Sequence, residues 1–154
     1  MNLTPILRKA TIDDANAISN VYLNSRKKLV SFAPLVNSDD SILQWIRNVL
    51  IPDEQVIVAE KQGRIIGMMS LTSDKATGRI NQFYILPESV GHGVGTVMIN
   101  MAKSILGSRI KLWTFQENIG ARRFYERHGF HAVEFDDGSG NEENCPAVLY
   151  EWVA

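Results

Sequence analysis

Apolar positions change period several times along the chain, and each change marks an element. Leu7–Ala10 reads as a short first strand. Thr11-Ile12-Asp13-Asp14 then forms a capping box with Asp in place of Glu, opening a helix that turns Ile12, Ala15, Ile18, Val21 and Leu29 inward. Ser31–Asn37 contains Pro34 and reads as a loop. Ser38 or Asp39 caps a second helix, in which Ile42, Trp45, Ile46, Val49 and Leu50 share a face and Pro52 closes the run. Gln55–Glu60 and Ile65–Leu71 follow as strands joined by the turn Lys61-Gln62-Gly63-Arg64, and Thr72–Gly78 leads into the strand Arg79–Leu86. Three strands with short links predict an antiparallel meander.

The most informative stretch comes next. The apolar run Phe83-Tyr84-Ile85-Leu86 stops at Pro87, and Gly91-His92-Gly93-Val94-Gly95 precedes Thr96. Beyond it, Val94, Val97, Met98, Met101, Ala102 and Ile105 recur at helical steps, so the order is strand, glycine loop, helix. Glycines at alternate positions let the backbone bend and approach another group closely. The first N–H groups of the helix are free and lie at the positive end of its dipole, which suits a phosphate. A tight turn that binds nothing has the same composition. The spacing is neither the dinucleotide fingerprint, which needs two residues between its second and third glycines, nor a P-loop, which needs Lys-Ser or Lys-Thr after the last.

After Gly107 the strand Ile110–Phe115 can run parallel to Arg79–Leu86, because a helix intervenes. Asn118–His128 is helical with Ala121, Phe124 and Tyr125 on one face, and Gly129 ends it as a left-handed cap. Phe130–Phe135 and Ala147–Val153 are the last strands, separated by the polar, acidic Asp136–Asn144. No linker or repeat divides the chain. The expectation is one α/β domain over residues 1–154, built on a mixed sheet of about seven strands with about four helices.

The 154-residue length suits one core, and a net charge of −1 without a basic stripe argues against nucleic acid. Cys145 stands alone, which excludes a disulfide framework and a zinc cluster, and it reads as a quiet thiol. Met1–Ala10 has no leader-like apolar core and no long apolar span occurs, so a cytoplasmic protein without membrane attachment or metal is expected.

Two motifs carry a resemblance. Ile85-Leu86-Pro87 followed by Val90-Gly91-His92-Gly93-Val94-Gly95 resembles the acetyl-CoA loop of the GNAT superfamily of N-acetyltransferases, with Val90 where the family has Gln or Arg. Asn118, Ala121, Phe124, Tyr125, Gly129 and Phe130 match the superfamily's Asn-x-x-Ala-x-x-Phe-Tyr-x-x-x-Gly-Phe segment. Leu7–Ala15 looks like its first strand and helix, so the resemblance spans nearly the whole chain.

What the resemblance implies is acetyl transfer from acetyl-CoA to a primary amine by direct attack. The strands Arg79–Leu86 and Ile110–Phe115 would splay and admit the pantetheine arm beside Phe83, Tyr84 and Ile85. The N–H of Ile85 would face the developing oxyanion. Gly91, His92, Gly93, Val94, Gly95 and Thr96 would hold the diphosphate, while Asn118, Ala121 and Phe124 would flank the cofactor. Tyr125 would protonate the leaving thiolate. Superfamily members often carry a Glu as base on the strand before the loop, whereas this strand offers Arg79, Asn81 and Gln82. A water-mediated base follows, with Glu88, His92, His128 and His131 read as surface groups. Trp45 reads as core or as an acceptor platform. Glu142 and Glu143, in the acidic loop, read as a solvated turn or as a lure for a cationic acceptor. Arg122, Arg123 and Arg127 form a basic helix face, mostly solvated, part of which could meet the adenosine 3′-phosphate. The acceptor is a small amine, or alternatively a protein N-terminus or lysine. A catalytically idle CoA-binding module is the competing class, and a homodimer through late strands, such as apolar Leu149–Val153, is compatible with the resemblance.

Overall fold

The computed structural model describes residues 4–154. The first three residues of Met1–Ala10, read above as carrying no leader, lie outside them. Seven strands make one sheet in the order β1-β2-β3-β4-β5-β7-β6. They are β1 (Ile6–Lys9), β2 (Gln55–Lys61), β3 (Arg64–Ser73), β4 (Gly78–Ile85), β5 (Arg109–Phe115), β6 (His131–Asp136) and β7 (Ala147–Val153). The turn between β2 and β3 puts Gln62 and Gly63 at positive φ (53° and 78°), the primed geometry whose twist matches a tight hairpin. All neighbours are antiparallel except β4 and β5, which a helical crossover joins in parallel. The sheet is therefore mixed, as expected.

Helix α1 (Ala15–Leu29) follows a 3₁₀ turn at Ile12–Asp14, where the Thr11 amide donates to Asp14 Oδ2 at 2.8 Å. It buries Ala15, Ile18 and Val21. The inward reading fails at its two ends, where Ile12 and Leu29 are exposed. The tighter winding of the 3₁₀ turn rotates Ile12 off the face, and Leu29 is the last residue of the helix. Helix α2 (Asp39–Trp45) starts where Ser38 Oγ accepts from the Ser41 amide. It continues as a π-helical stretch, Ile46–Leu50, and ends in the short α3 (Ile51–Asp53) with Pro52 inside the last turn rather than beyond it. The wider π-helical winding brings Ile46 and Leu50 inward and leaves Val49 exposed.

Helix α4 (Val94–Leu106) is seated through Val94, Met98, Ile99 and Ala102, all nearly fully buried, so its inner face centres further round than Ile105, which is exposed. Helix α5 (Ile119–Arg127) ends at Gly129, with φ of +88°. Counting α2 through α3 as one rod gives four helices. The apolar β7 is explained by its place between β5 and β6, as an interior strand. The core runs through both faces of the sheet, with Met68, Met69, Ile110 and Tyr150 among its fully buried side chains. Cys145 is buried beside Val30 and Ala33, with its thiol pushed up by burial, in keeping with a quiet role.

Candidate active site

The site begins with a defect in the sheet. Pairing between β4 and β5 is confined to Gly78 with Ile110 and Arg79 with Lys111, after which the two strands diverge. Against β3, the register slips so that Ser70 faces Gln82 while Leu71 faces Ile80, leaving Asn81 as the extra residue of a bulge. Leu86 donates its amide to Ile66 O on β3 at 2.8 Å. Because N–H groups alternate edges along a strand, those of Ile85 and Phe83 point the other way, into the splay. Two backbone donors thus line a wedge that no strand fills.

The glycine loop closes one end of that wedge. Gly91 and Gly93 sit at φ of +85° and +86°, a region L side chains rarely adopt, and open space surrounds both. The first helical bond of α4 runs from the Val97 amide to Gly93 O, so the N–H groups of Val94, Gly95 and Thr96 are free at the helix start. Gly95 acts differently. A Cβ there would stand 2.8 Å from Phe124 Cε1, so this glycine lets α5 lie against α4. The Val94 side chain is core, and only its backbone faces the loop. His92 is exposed, while Thr96 Oγ1 lies 3.3 Å from Nε2 of His128, a half-buried ring packed at a tilt against Phe124. Burial, Lys103 and Arg127 together lower the His128 pKa.

On α5, Asn118 Oδ1 accepts from the Ala121 amide at 3.2 Å, a helix cap. Phe124 and Tyr125 both meet Phe83 of the splayed segment, with centroids 5.9 and 6.2 Å apart. Tyr125 also touches Phe130 and Tyr150. Burial, with a smaller contribution from Tyr84, pushes the Tyr125 phenol above its ordinary range, so it holds its proton at neutral pH. The basic helix face is mostly solvated, with Arg122 the exception. Arg122 Nε donates to Tyr150 Oη and Nη1 to Gln116 O, so this side chain braces α5 on the sheet, while Arg123 and Arg127 are exposed.

A cavity of about 800 Å³ opens on the other side of β4. Trp45, Glu142 and Glu143, singled out separately in the sequence, all line it. Trp45 lines the cavity and packs edge-on to Tyr22 at 6.0 Å. Tyr84 projects here and meets Tyr22 at 4.9 Å, with burial raising its pKa. The sequence reading missed Arg26, which is 5% exposed. Its Nη2 donates to Ala33 O at 3.0 Å and to Glu143 Oε2 at 3.3 Å, and its guanidinium lies over the Tyr22 and Phe115 rings. One signal was present: Tyr22 and Arg26 continue the four-residue steps of Ile18 along the buried face of α1. Trp113 and Asn37, also in the wall, gave none.

Glu88 is exposed and pairs with Arg64 at 3.7 Å, and His131 lies on an exposed strand. Among the described residues, no group of three or more His, Cys, Asp or Glu is placed to hold a metal, and no helix is long and apolar enough to cross a membrane.

A family model described as acetyltransferase (GNAT) family matches residues 22–130, well over half of the chain. The chain belongs to the GNAT family. As such it is an acetyl-CoA-dependent N-acetyltransferase. An uncharacterized N-acetyltransferase of Archaeoglobus fulgidus is 29% identical over 148 residues, 88% of this chain and 99% of the relative. The peptidyl-lysine N-acetyltransferase YiaC of Escherichia coli is 23% identical over 147 residues, 96% of each chain. Among solved structures, the PaiA N-acetyltransferase of Thermoplasma acidophilum in complex with coenzyme A superposes with a TM-score of 0.76. It is 20% identical, with 98% of this chain and 99% of that chain covered. Gly91, Gly93 and the unused N–H groups fit a diphosphate and an amide-bearing arm.

Proposed function

We propose that residues 1–154 act as one N-acetyltransferase domain that acetylates a small primary amine by direct attack. The N–H groups of Val94–Thr96 and the loop Gly91–Gly93 hold the diphosphate, and Phe83 and Ile85 offer backbone donors to the pantetheine arm. Ala121 and Phe124 flank it, and Asn118 steadies this side of α5. Acetyl-CoA supplies an activated acetyl group as a thioester. The neutral amine adds its lone pair to the carbonyl carbon. Ile85 N–H steadies the oxyanion as the C–N bond forms. The C–S bond then breaks, Tyr125 Oη–H protonates the departing sulfur, and the surplus proton on nitrogen leaves to water.

The observation that carries this reading is the wedge itself. Ile85 has an unused backbone donor within a strand whose neighbours Phe83 and Tyr84 touch Tyr125 on one face and the cavity on the other. A cavity of about 800 Å³ has the size of a small-molecule pocket, and Trp45 and Glu142 in its wall suit a cationic acceptor, Glu143 being paired with Arg26. A protein amine is the second reading, favoured by the peptidyl-lysine activity in the name of the Escherichia coli relative.

The test is thiol release from acetyl-CoA over a panel of amines, with Tyr125→Phe in parallel and CoA binding measured by calorimetry. Turnover that collapses in Tyr125→Phe supports the reading. Tight CoA binding without turnover on any amine would replace it with an idle CoA-binding module. Absence of CoA binding would remove both.

A further inference from the structure

We infer that Asn81 is the group that docks the acceptor nitrogen, held in one orientation by Glu54, and that the site therefore takes amines of low basicity. The inference rests on the acetyl-transfer reading above and deepens it. Asn81 is the extra residue of the β4 bulge, just past the last paired position of the parallel strands, and it lines the acceptor cavity beside Gln82 and Tyr84.

Its amide cannot be turned either way. Nδ2 lies 2.9 Å from Glu54 Oε1 and 2.9 Å from Thr72 Oγ1. An ionised carboxylate only accepts, so the group facing Glu54 must be the NH₂. Both of its hydrogens are thereby used. The carbonyl oxygen Oδ1 points away from Glu54 and Thr72 and carries no protein partner among the described residues. A bulge aims this side chain, and two partners fix which end is offered: an acceptor, at the mouth of the splay, for an N–H.

A neutral carbonyl oxygen has a consequence that a carboxylate would not. A carboxylate here would stabilise the ammonium and could take its proton, whereas an amide accepts one N–H and leaves the nitrogen lone pair free for attack without favouring the extra proton. Of the other carboxylates near the cavity, two are engaged and the third faces solvent. Glu143 pairs with Arg26 at 3.3 Å, Asp136 Oδ1 accepts from the Gly138 amide at 2.7 Å, and Glu142 is exposed on its loop. Deprotonation is then left to solvent, and the rate follows the neutral fraction of the acceptor. Near pH 7 an α-amine of pKa about 8 is neutral about one time in ten, and an ε-amine of pKa about 10.4 about once in a few thousand.

The probes are alaninamide and an Nα-blocked lysine amide, compared by kcat/KM across pH. Near neutral pH, alaninamide leads by at least about tenfold, less than the ratio of neutral fractions because the more basic amine is the better nucleophile, and the gap narrows as pH rises. Asn81→Leu lowers kcat/KM for both by about tenfold, the loss of one hydrogen bond to the reacting nitrogen, without altering the shape of the pH profile. Asn81→Asp places a second carboxylate against Glu54, whose repulsion raises its pKa toward neutrality, so it gains relative activity on the lysine amide at the acid end. Glu54→Gln, which frees the amide to turn over, lowers kcat while KM for acetyl-CoA stays put.

Binding is read separately from turnover by the side-chain amide resonance of Asn81, assigned by its absence in Asn81→Leu, during titration of CoA-saturated protein with alaninamide. A saturating shift is expected. An Asn81→Leu protein with wild-type kcat/KM for both amines, or an Asn81 resonance that stays still through the titration, overturns the inference. Failure of the acetyl-transfer reading appears elsewhere, as intact thioester across the whole amine panel in the thiol-release assay.

Discussion

The two faces of β4 are built by different means. Phe83 looks toward α5, where Phe124, Tyr125 and Phe130 form a ring cluster around the glycine-lined helix start. One residue on, Tyr84 looks the other way, into a cavity whose walls come from α1, α2, β5 and the loop between β6 and β7. The face proposed for the cofactor is made of backbone donors and close aromatic packing, drawn from β4, the glycine loop and α5. The face proposed for the acceptor is made of charged and aromatic side chains drawn from more widely separated parts of the chain. A site for an invariant co-substrate can be fixed by main chain, while a site that selects one acceptor has to be written in side chains.

The sharpest way to break the cofactor face is Tyr125→Phe. It deletes one oxygen and leaves the ring cluster in place. As a lost general acid it lowers kcat by about a hundredfold or more, while KM for acetyl-CoA is unchanged. Since burial raises the phenol's pKa above its ordinary value of 10.0, wild-type kcat does not fall through loss of this proton below about pH 10. A Tyr125→Phe enzyme with full kcat, measured at saturating acetyl-CoA, ends the general-acid assignment.

The acceptor face breaks most readily at Arg26. Its guanidinium is 5% exposed, and the Glu143 side chain that neutralises it is 12% exposed. Glu143→Gln strands a buried charge and costs about 3 kcal/mol of unfolding free energy in a urea titration. Replacing both partners, Arg26→Leu with Glu143→Gln, recovers part of that loss, because the stranded charge is gone. A double variant less stable than Glu143→Gln alone would mean that Arg26 stabilises chiefly through its Ala33 and ring contacts.

These two faces were also unequally legible. Gly91, Gly93, Phe124 and Tyr125 announce themselves at fixed spacing, and the seven strands follow from apolar runs and turn residues. Gly95 was legible as a glycine but not in its purpose, because only the approach of Phe124 shows why a side chain is barred. Trp45, Glu142 and Glu143 could be suspected singly, yet nothing in the sequence joins α2 to the last loop. Arg26 was hidden for a physical reason. A buried arginine is a long-range solution, balanced by a glutamate 117 positions away, and the local pattern shows only that Arg26 falls on the inner face of α1, not what neutralises it there. The orientation of Asn81 is equally tertiary, since Glu54 and Thr72 fix it from two other segments.

A smaller perturbation sharpens the role of packing on the cofactor side. Gly95→Ala adds one methyl against Phe124 and forces that ring to give way. Overpacking of this kind costs about 1–3 kcal/mol and tilts α5 away from α4. CoA affinity weakens with it in calorimetry. Gly95→Ala combined with Phe124→Leu, which opens space at the same contact, regains stability relative to Gly95→Ala if the clash is the cause.

The smallest effect lies far from both faces and serves as their reference. Arg8 grips Asp14 through two hydrogen bonds, at 2.8 and 2.9 Å, tying β1 to the start of α1. The Arg8 hydrogen bond is the largest influence holding the Asp14 carboxyl below its ordinary 3.8. A carboxylate with a depressed folded-state pKa stabilises the fold above the unfolded value, and that contribution fades as pH falls through the folded one. The pair is partly solvated, so at neutral pH Asp14→Asn loses no more than about 1 kcal/mol. Unfolding curves of the two proteins then converge as acid is added, over the range below 3.8. A gap that persisted at the lowest pH would assign the effect to the Thr11 amide, which donates to the same carboxylate at 2.8 Å, rather than to charge.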